Sequence, residues 1–194
     1  MTRVVRRVSS LFFGKSPMNK CRLTLALVLV LGLGWTPAGA QGRTGKRKPP
    51  PVPVQHLQEV EKQVYRLTNE ARVKQGLPPL IPDATLGAAA LAHSEDMLRR
   101  HFFSHVSPDG LSPRERLQTA FGNQVMRGGE NIWNGFGYNY RDSKLMARTI
   151  VDSWLNSSEH RANILNPYFS RLGVGVAVSG SEVRATQNFV ALRH

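Results

Sequence analysis

Three clusters that set polar residues beside large apolar ones hold the chemistry this chain can offer. The first is His101-Phe102-Phe103-Ser104-His105-Val106-Ser107-Pro108-Asp109-Gly110. The second is Gly128-Gly129-Glu130-Asn131-Ile132, and the third runs from Trp154 through Asn156, Ser157, Glu159 and His160 to Leu165. Neutral imidazoles are good nitrogen ligands for zinc, and a carboxylate supplies an oxygen ligand or orients a bound water. His105, His160 and Glu130 provide that combination once a fold brings them together. Separations of 25 and 30 residues do not establish this on their own.

The sharper patterns are absent. No H-E-x-x-H occurs, and the inverted H-x-x-E-H frame at 156–160 has Asn156 where its first histidine should stand. There is no G-x-S-x-G elbow, P-loop or Rossmann glycine pattern either. Other readings stay open. Glu130-Asn131 would serve equally to tie down a turn, although a buried carboxylate needs a partner. His160, near a helix start, would also suit a structural hydrogen bond. His93 falls on an apolar helix face and reads as a satisfied, semi-buried residue. His101 reads as a surface residue or one that supports a ligand from behind, Trp154 as core, and Arg99-Arg100 as a solvated helix end.

The elements that must position these residues show in the periodicity. Leu57, Val60, Val64, Leu67 and Ala71 mark one face of a helix that Gly76 and Pro78-Pro79 terminate. Asp83 caps a second helix with Leu86, Ala90, His93 and Met97 inward. Ser112-Pro113-Arg114-Glu115 is a capping box with proline at the first helical position. A further helix from about Ser143 to Leu155 buries Met146, Ile150 and Trp154. The period then changes: Leu172 to Val178 and Val183 to Val190 read as strands joined by a turn at Ser179–Glu182. Gly173 and Gly175 imply close approach by another element. Helices followed by a terminal hairpin argue for α+β layers.

The chain has 194 residues and a formal charge of +13. Residues 1–40 carry six basic residues and no acid, and residues 41–55 carry four more, again with no acid. The remainder holds 16 basic and 13 acidic residues, so the excess is concentrated at the front. That front reads as a secretory signal. Lys20 and Arg22 precede the apolar run Leu23–Trp35, and Ala38-Gly39-Ala40 forms a cleavage signal before Gln41. Met18 would begin a signal of ordinary length. The run is shorter than the roughly 20 apolar residues of a spanning helix. Cleavage after Ala40 removes Cys21, the single cysteine, and with it any disulfide. Residues 41–55 read as a basic, proline-rich linker, and 56–194 as one domain.

In order, the motifs of that domain resemble the CAP superfamily of cysteine-rich secretory, antigen 5 and pathogenesis-related 1 proteins, in its short, cysteine-free bacterial form. The resemblance covers about 60–190. It rests on Thr68-Asn69-Glu70-Ala71-Arg72, Gly76-Leu77-Pro78-Pro79-Leu80 and Phe103-Ser104-His105. It continues through Gly129-Glu130-Asn131-Ile132, Trp154-Leu155-Asn156-Ser157 and His160-Arg161-Ala162-Asn163-Ile164-Leu165. It closes on Gly173-Val174-Gly175-Val176-Ala177 and Thr186-Gln187-Asn188-Phe189. The resemblance implies an α-β-α sandwich with a central antiparallel sheet between helical layers. It also implies a cleft with two histidines, His105 and His160, and two acids, the first being Glu130. The second acid usually stands three residues after the helix tryptophan, where this chain has Ser157; Glu159 lies close by. In the family such a cleft can take a divalent metal, commonly zinc.

Several functions follow as expectations. The first is a secreted or envelope-located, monomeric binding module. Its cleft, formed by His105, Glu130, Asn131, Ser157 and His160, takes an unidentified ligand, with zinc or another divalent cation on His105 and His160. The second is a zinc-dependent hydrolase with Glu130 or Glu159 acting on bound water. The third is a lipid or envelope-polymer binder assisted by the basic linker. Nucleic acid is not expected, because the domain carries little excess charge and no recognised motif.

Overall fold

The computed structural model describes residues 54–137 and 142–193. The expected signal at 1–40 and residues 41–53 of the expected linker lie outside the described residues; its last two residues, Val54 and Gln55, begin the first helix. Helix α1 spans Val54–Lys74, α2 Ala84–Arg99, α3 Pro113–Phe121, α4 Ser143–Asn156 and α5 Ser158–Ile164. Strand β1 is Ile81–Pro82, β2 Val125–Phe136, β3 Arg171–Ser179 and β4 Glu182–Leu192. The sheet order is β1-β3-β4-β2. The three long strands are antiparallel, and the two-residue β1 adds in parallel to β3, so the sheet is mixed.

Local signals set the helix boundaries. Gly76 adopts φ +73°, the left-handed conformation that closes the turn after α1. Asp83 accepts a hydrogen bond from the Leu86 amide at the start of α2. Ser112 and Glu115 form the reciprocal capping box of α3, with Pro113 at its first position. Asp142 caps α4 through the Leu145 amide.

The side-chain period of two splits the strands between two helical layers. Leu172, Val174 and Val176 of β3, with Val183, Ala185 and Phe189 of β4, join Val60, Val64, Met146, Ile150, Trp154 and Ile164 in the main core. The opposite face of β3 carries Gly173 and Gly175. A Cβ at either would lie 2.2 Å or less from an α2 backbone atom, so α2 rests directly on the strand. Val190 of β4 packs there with Leu86 and Leu117 in a smaller cluster. Helices α1, α4 and α5 therefore cover one face, and α2 and α3 the other. This is the expected α+β sandwich.

The opening motif acts as a staple. Arg72 is fully buried and faces carbonyls rather than a carboxylate. Its Nε donates to Pro78 O at 3.0 Å, and Nη1 donates to Ile164 O at 2.6 Å and Asn166 O at 2.9 Å. Asn69 holds both the amide and the carbonyl of Leu80. Gln187 of β4 donates to Thr68 Oγ1 at 2.8 Å. These bonds join α1 to β4, to the loop after α1 and to the segment leading from α5 into β3.

Candidate functional site

The second cluster lies within β2, not in a turn. Glu130 pairs with Asn188 and Asn131 with Gln187 across an unbroken antiparallel ladder. Successive side chains of a strand point to opposite faces, so the two residues serve different layers. Glu130 points to the α2–α3 side and Asn131 to the α5 side.

Glu130 is almost fully buried, with 2% of its side chain exposed. Its Oε1 lies 2.9 Å from His105 Nδ1, and its Oε2 accepts from Arg116 Nη2 at 2.7 Å. The same Nη2 donates to the His105 carbonyl at 2.9 Å, and Nη1 donates to Leu111 O at 2.9 Å. Arg116 thus holds the carboxylate and the loop bearing His105 together. A carboxylate facing Nδ1 selects the tautomer with the proton there. Nε2 of His105 then presents its lone pair, and no protein group bonds to it among the described residues. The His105 ring is half-exposed.

His160 comes from the other layer, on the third residue of α5. Asn131 Nδ2 donates to its carbonyl at 3.1 Å and to Gln187 Oε1 at 3.2 Å. Asn163 Nδ2 donates to Asn131 Oδ1 at 2.9 Å and to Glu130 O at 3.2 Å. Burial lowers the pKa of His160, and the neighbouring His105 lowers it further, against a raising effect of Glu159. The charge of His105 thus reaches His160, and His160 is held toward its neutral form.

The site's outer members fall less close. Ser157 has extended dihedrals (φ −92°, ψ 126°), ending α4 and preceding α5, and its side chain makes no capping bond. The two helices are distinct, so Glu159 sits in the first turn of α5. Neither Ser157 nor Glu159 bonds to the histidine pair through its side chain. Glu159 is exposed and acts on His160 only through its charge.

Two participants were not read from the sequence. Arg116 follows the capping box of α3, where nothing distinguishes it from a solvated helix arginine. His93 is buried more deeply than expected. Its Nε2 donates to Ser104 O at 3.1 Å and lies 3.9 Å from Glu130 Oε1, while its buried Nδ1 has no hydrogen-bond partner among the described residues. Burial is the main cause of its lowered pKa. His93 stands behind Glu130, so Oε1 lies between two imidazoles.

The donor set can be tested against a metal. Both oxygens of Glu130 are engaged, which makes it an orienting group and not a ligand. Among the described residues no group of three His, Cys, Asp or Glu could hold an ion. Nε2 of His105 and a ring nitrogen of His160 remain as the expected ligand atoms. A carboxylate on the far nitrogen of a histidine, as Glu130 is on His105, is the usual support for a metal ligand.

The sandwich, the Glu130–His105 pair and the α5 histidine define a class, and the chain belongs to it: the model of the cysteine-rich secretory protein (CAP) family matches residues 65–190. The protein YkwD of Bacillus subtilis (strain 168) is 43% identical over 121 residues, covering 62% of this chain and 44% of its own. The membrane protein YlbC of the same organism is 41% identical over 130 residues, covering 67% of this chain and 34% of its own. This chain thus spans less than half the length of these relatives. A crystal structure of an extracellular protein of Bacillus anthracis containing an SCP domain superposes with a TM-score of 0.58 at 33% identity. It covers 73% of this chain and 45% of the other. No helix among the described residues is long and apolar enough to cross a membrane.

Proposed function

We propose that this chain is an exported CAP-domain binding module whose ligand site is built around His105 and His160 at the edge of β2. In this reading zinc, or another divalent cation, rests on His105 Nε2 and a ring nitrogen of His160. Such an ion supplies a Lewis-acidic point to which an oxygen or nitrogen of a ligand can attach. Glu130 and Arg116 orient His105, and Asn131 and Asn163 position the α5 backbone that bears His160. Export is supported by the signal-like sequence before Gln41 and by the extracellular relative.

The carrying observation is the engagement of both Glu130 oxygens, at 2.9 Å and 2.7 Å. Hydrolysis would need a carboxylate free to take a proton from water. Glu130 is committed to His105 and Arg116, and Glu159 is exposed without a bond to the pair. Binding without turnover follows more directly from this geometry.

The test is calorimetric titration of the metal-free protein with zinc. One saturable site is expected, lost in both His105→Ala and His160→Ala. Absence of binding, or binding unchanged in both variants, removes the metal from the reading. Peptide hydrolysis abolished by Glu159→Gln would overturn the preference for binding.

A further inference from the structure

The outer edge of β2 carries a row of backbone groups that the helices only partly engage. The ladder with β4 is continuous from Arg127 to Phe136. In such a ladder the N–H and C=O of alternate residues point away from the partner strand. Ile132 O accepts from Trp154 Nε1 at 3.0 Å, and Glu130 O accepts from Asn163 Nδ2 at 3.2 Å. Even-numbered residues therefore face outward. The residue opposite Gly128 agrees in phase: Val190 directs its carbonyl to the Ser170 amide, away from β2, at 3.0 Å. Gly128 is the next outward residue. Neither its N–H nor its C=O has such a partner among the described residues.

Gly128 lies in the floor of a slot of about 350 Å³ between α3 and Asn166. The lining side chains include two guanidinium groups, Arg114 and Arg127, and no carboxylate. Both arginines are exposed. Arg127 stacks on Tyr168, with its guanidinium carbon 4.5 Å from the ring centroid, which fixes one charge beside the slot. The strand approaches α3 closely here. A Cβ on Gly128 would lie 2.7 Å from Leu117 Cδ1.

We propose that this slot is a docking site for an extended, acidic polypeptide segment, which adds beside β2 as a further strand. Main-chain bonds to Gly128 would give the register, and carboxylates on the segment would meet Arg114 and Arg127. The paired donor and acceptor of Gly128 select a polypeptide over a phosphate-rich polymer. A phosphate diester accepts hydrogen bonds but has no donor for the Gly128 carbonyl. The site stands on the slot itself and does not depend on metal at His105 and His160.

The probe is a fluorescein-labelled, end-capped eight-residue peptide alternating threonine and valine, with two glutamates. Its binding to the full chain is followed by fluorescence anisotropy. Saturable binding is expected, weakened about tenfold or more in the Arg114→Glu, Arg127→Glu double variant. The same loss is expected when alternate backbone amides of the peptide are N-methylated. In a heteronuclear spectrum the Gly128 amide should shift on titration. Zinc titration of the double variant reports on the metal reading separately and should be unchanged. Lack of saturable binding overturns the proposal, as does equal binding of the N-methylated peptide. Full competition by inorganic polyphosphate with no Gly128 shift does so too, leaving a simple anion patch.

Discussion

Glu130 Oε1 stands 2.9 Å from His105 Nδ1, and that bond decides which ring nitrogen His105 presents. The carboxylate is fixed from behind by Arg116, so it cannot turn away to become a ligand or a base. Replacing it with an amide of the same shape should keep the fold but weaken the preference for the tautomer that leaves Nε2 free. Glu130→Gln is expected to lower zinc affinity by about 10–100-fold, the usual effect of losing such a support. Competition against a chromophoric chelator measures this, with circular dichroism to check folding. Undiminished affinity would mean that the His105–Glu130 bond is incidental to metal binding.

His93 makes stability depend on pH in a definite direction. Burial lowers its pKa, outweighing the raising effects of Glu130 and Asp96, and Arg116 lowers it further. The unfolded chain therefore binds a proton at this residue more readily than the folded one. Its contribution is fully present above the unfolded value, near pH 6.5, and is lost as pH falls toward the depressed folded value. Urea denaturation between pH 8 and pH 5 should show stability falling at the acid end. His93→Gln, which can still donate to Ser104 O, should reduce that slope by at most about 1.4 kcal/mol per pH unit. A slope unaltered by the substitution would assign the acid sensitivity to other groups.

Much of the fold was legible because the elements carry strong local signals. The spacing of Val60 and Val64, the caps at Asp83 and Ser112, and the Gly-Val alternation of β3 each specify local structure. Strand β2 escaped because Gly128, Gly129 and Asn131 carry little strand propensity. That strand is held by β4 on one side and by Asn163 and Trp154 on the other, partners remote in sequence. In the site, His105, Glu130 and His160 came from ordered motifs. Arg116 and His93 did not, because the role of each depends on a carboxylate that only the tertiary fold brings near. The break at Ser157 was legible in outline, since a helix ending near Leu155 and a helix start near His160 bracket it.

Arg72 is a cation with no carboxylate in reach, and its guanidinium fork addresses three separate stretches of backbone. Lysine has the charge but a single nitrogen, which cannot meet carbonyls lying in several directions. Hydrogen bonds to a charged group contribute about 1.5–3 kcal/mol each, so Arg72→Lys should cost about 3 kcal/mol or more. Thermal denaturation gives the measurement. A loss below about 1 kcal/mol would mean that the staple between α1 and the segment before β3 carries little of the stability.

Two glycines of the α2–β3 contact, one on each element, should respond to the same substitution with opposite sign. A Cβ on Gly175 would stand 2.0 Å from the Leu91 nitrogen and 2.3 Å from its Cα. Those are backbone atoms and cannot rotate aside, so Gly175→Ala must push α2 off the strand. Overpacking of this kind typically costs about 1–3 kcal/mol, and occasionally more. The shift would also carry His93 and the loop holding His105, so zinc affinity should fall with stability. Gly87 lies on α2, and a Cβ there would meet only Val174 O, at 3.7 Å, an ordinary contact. Alanine is the better helix former by about 0.5–1 kcal/mol, so Gly87→Ala should stabilise by about that amount and leave zinc binding intact. Urea denaturation of the two variants, read with zinc titration, tests the contact from both sides. Similar losses in both, or none in Gly175→Ala, would mean that α2 does not rest on the bare backbone of β3.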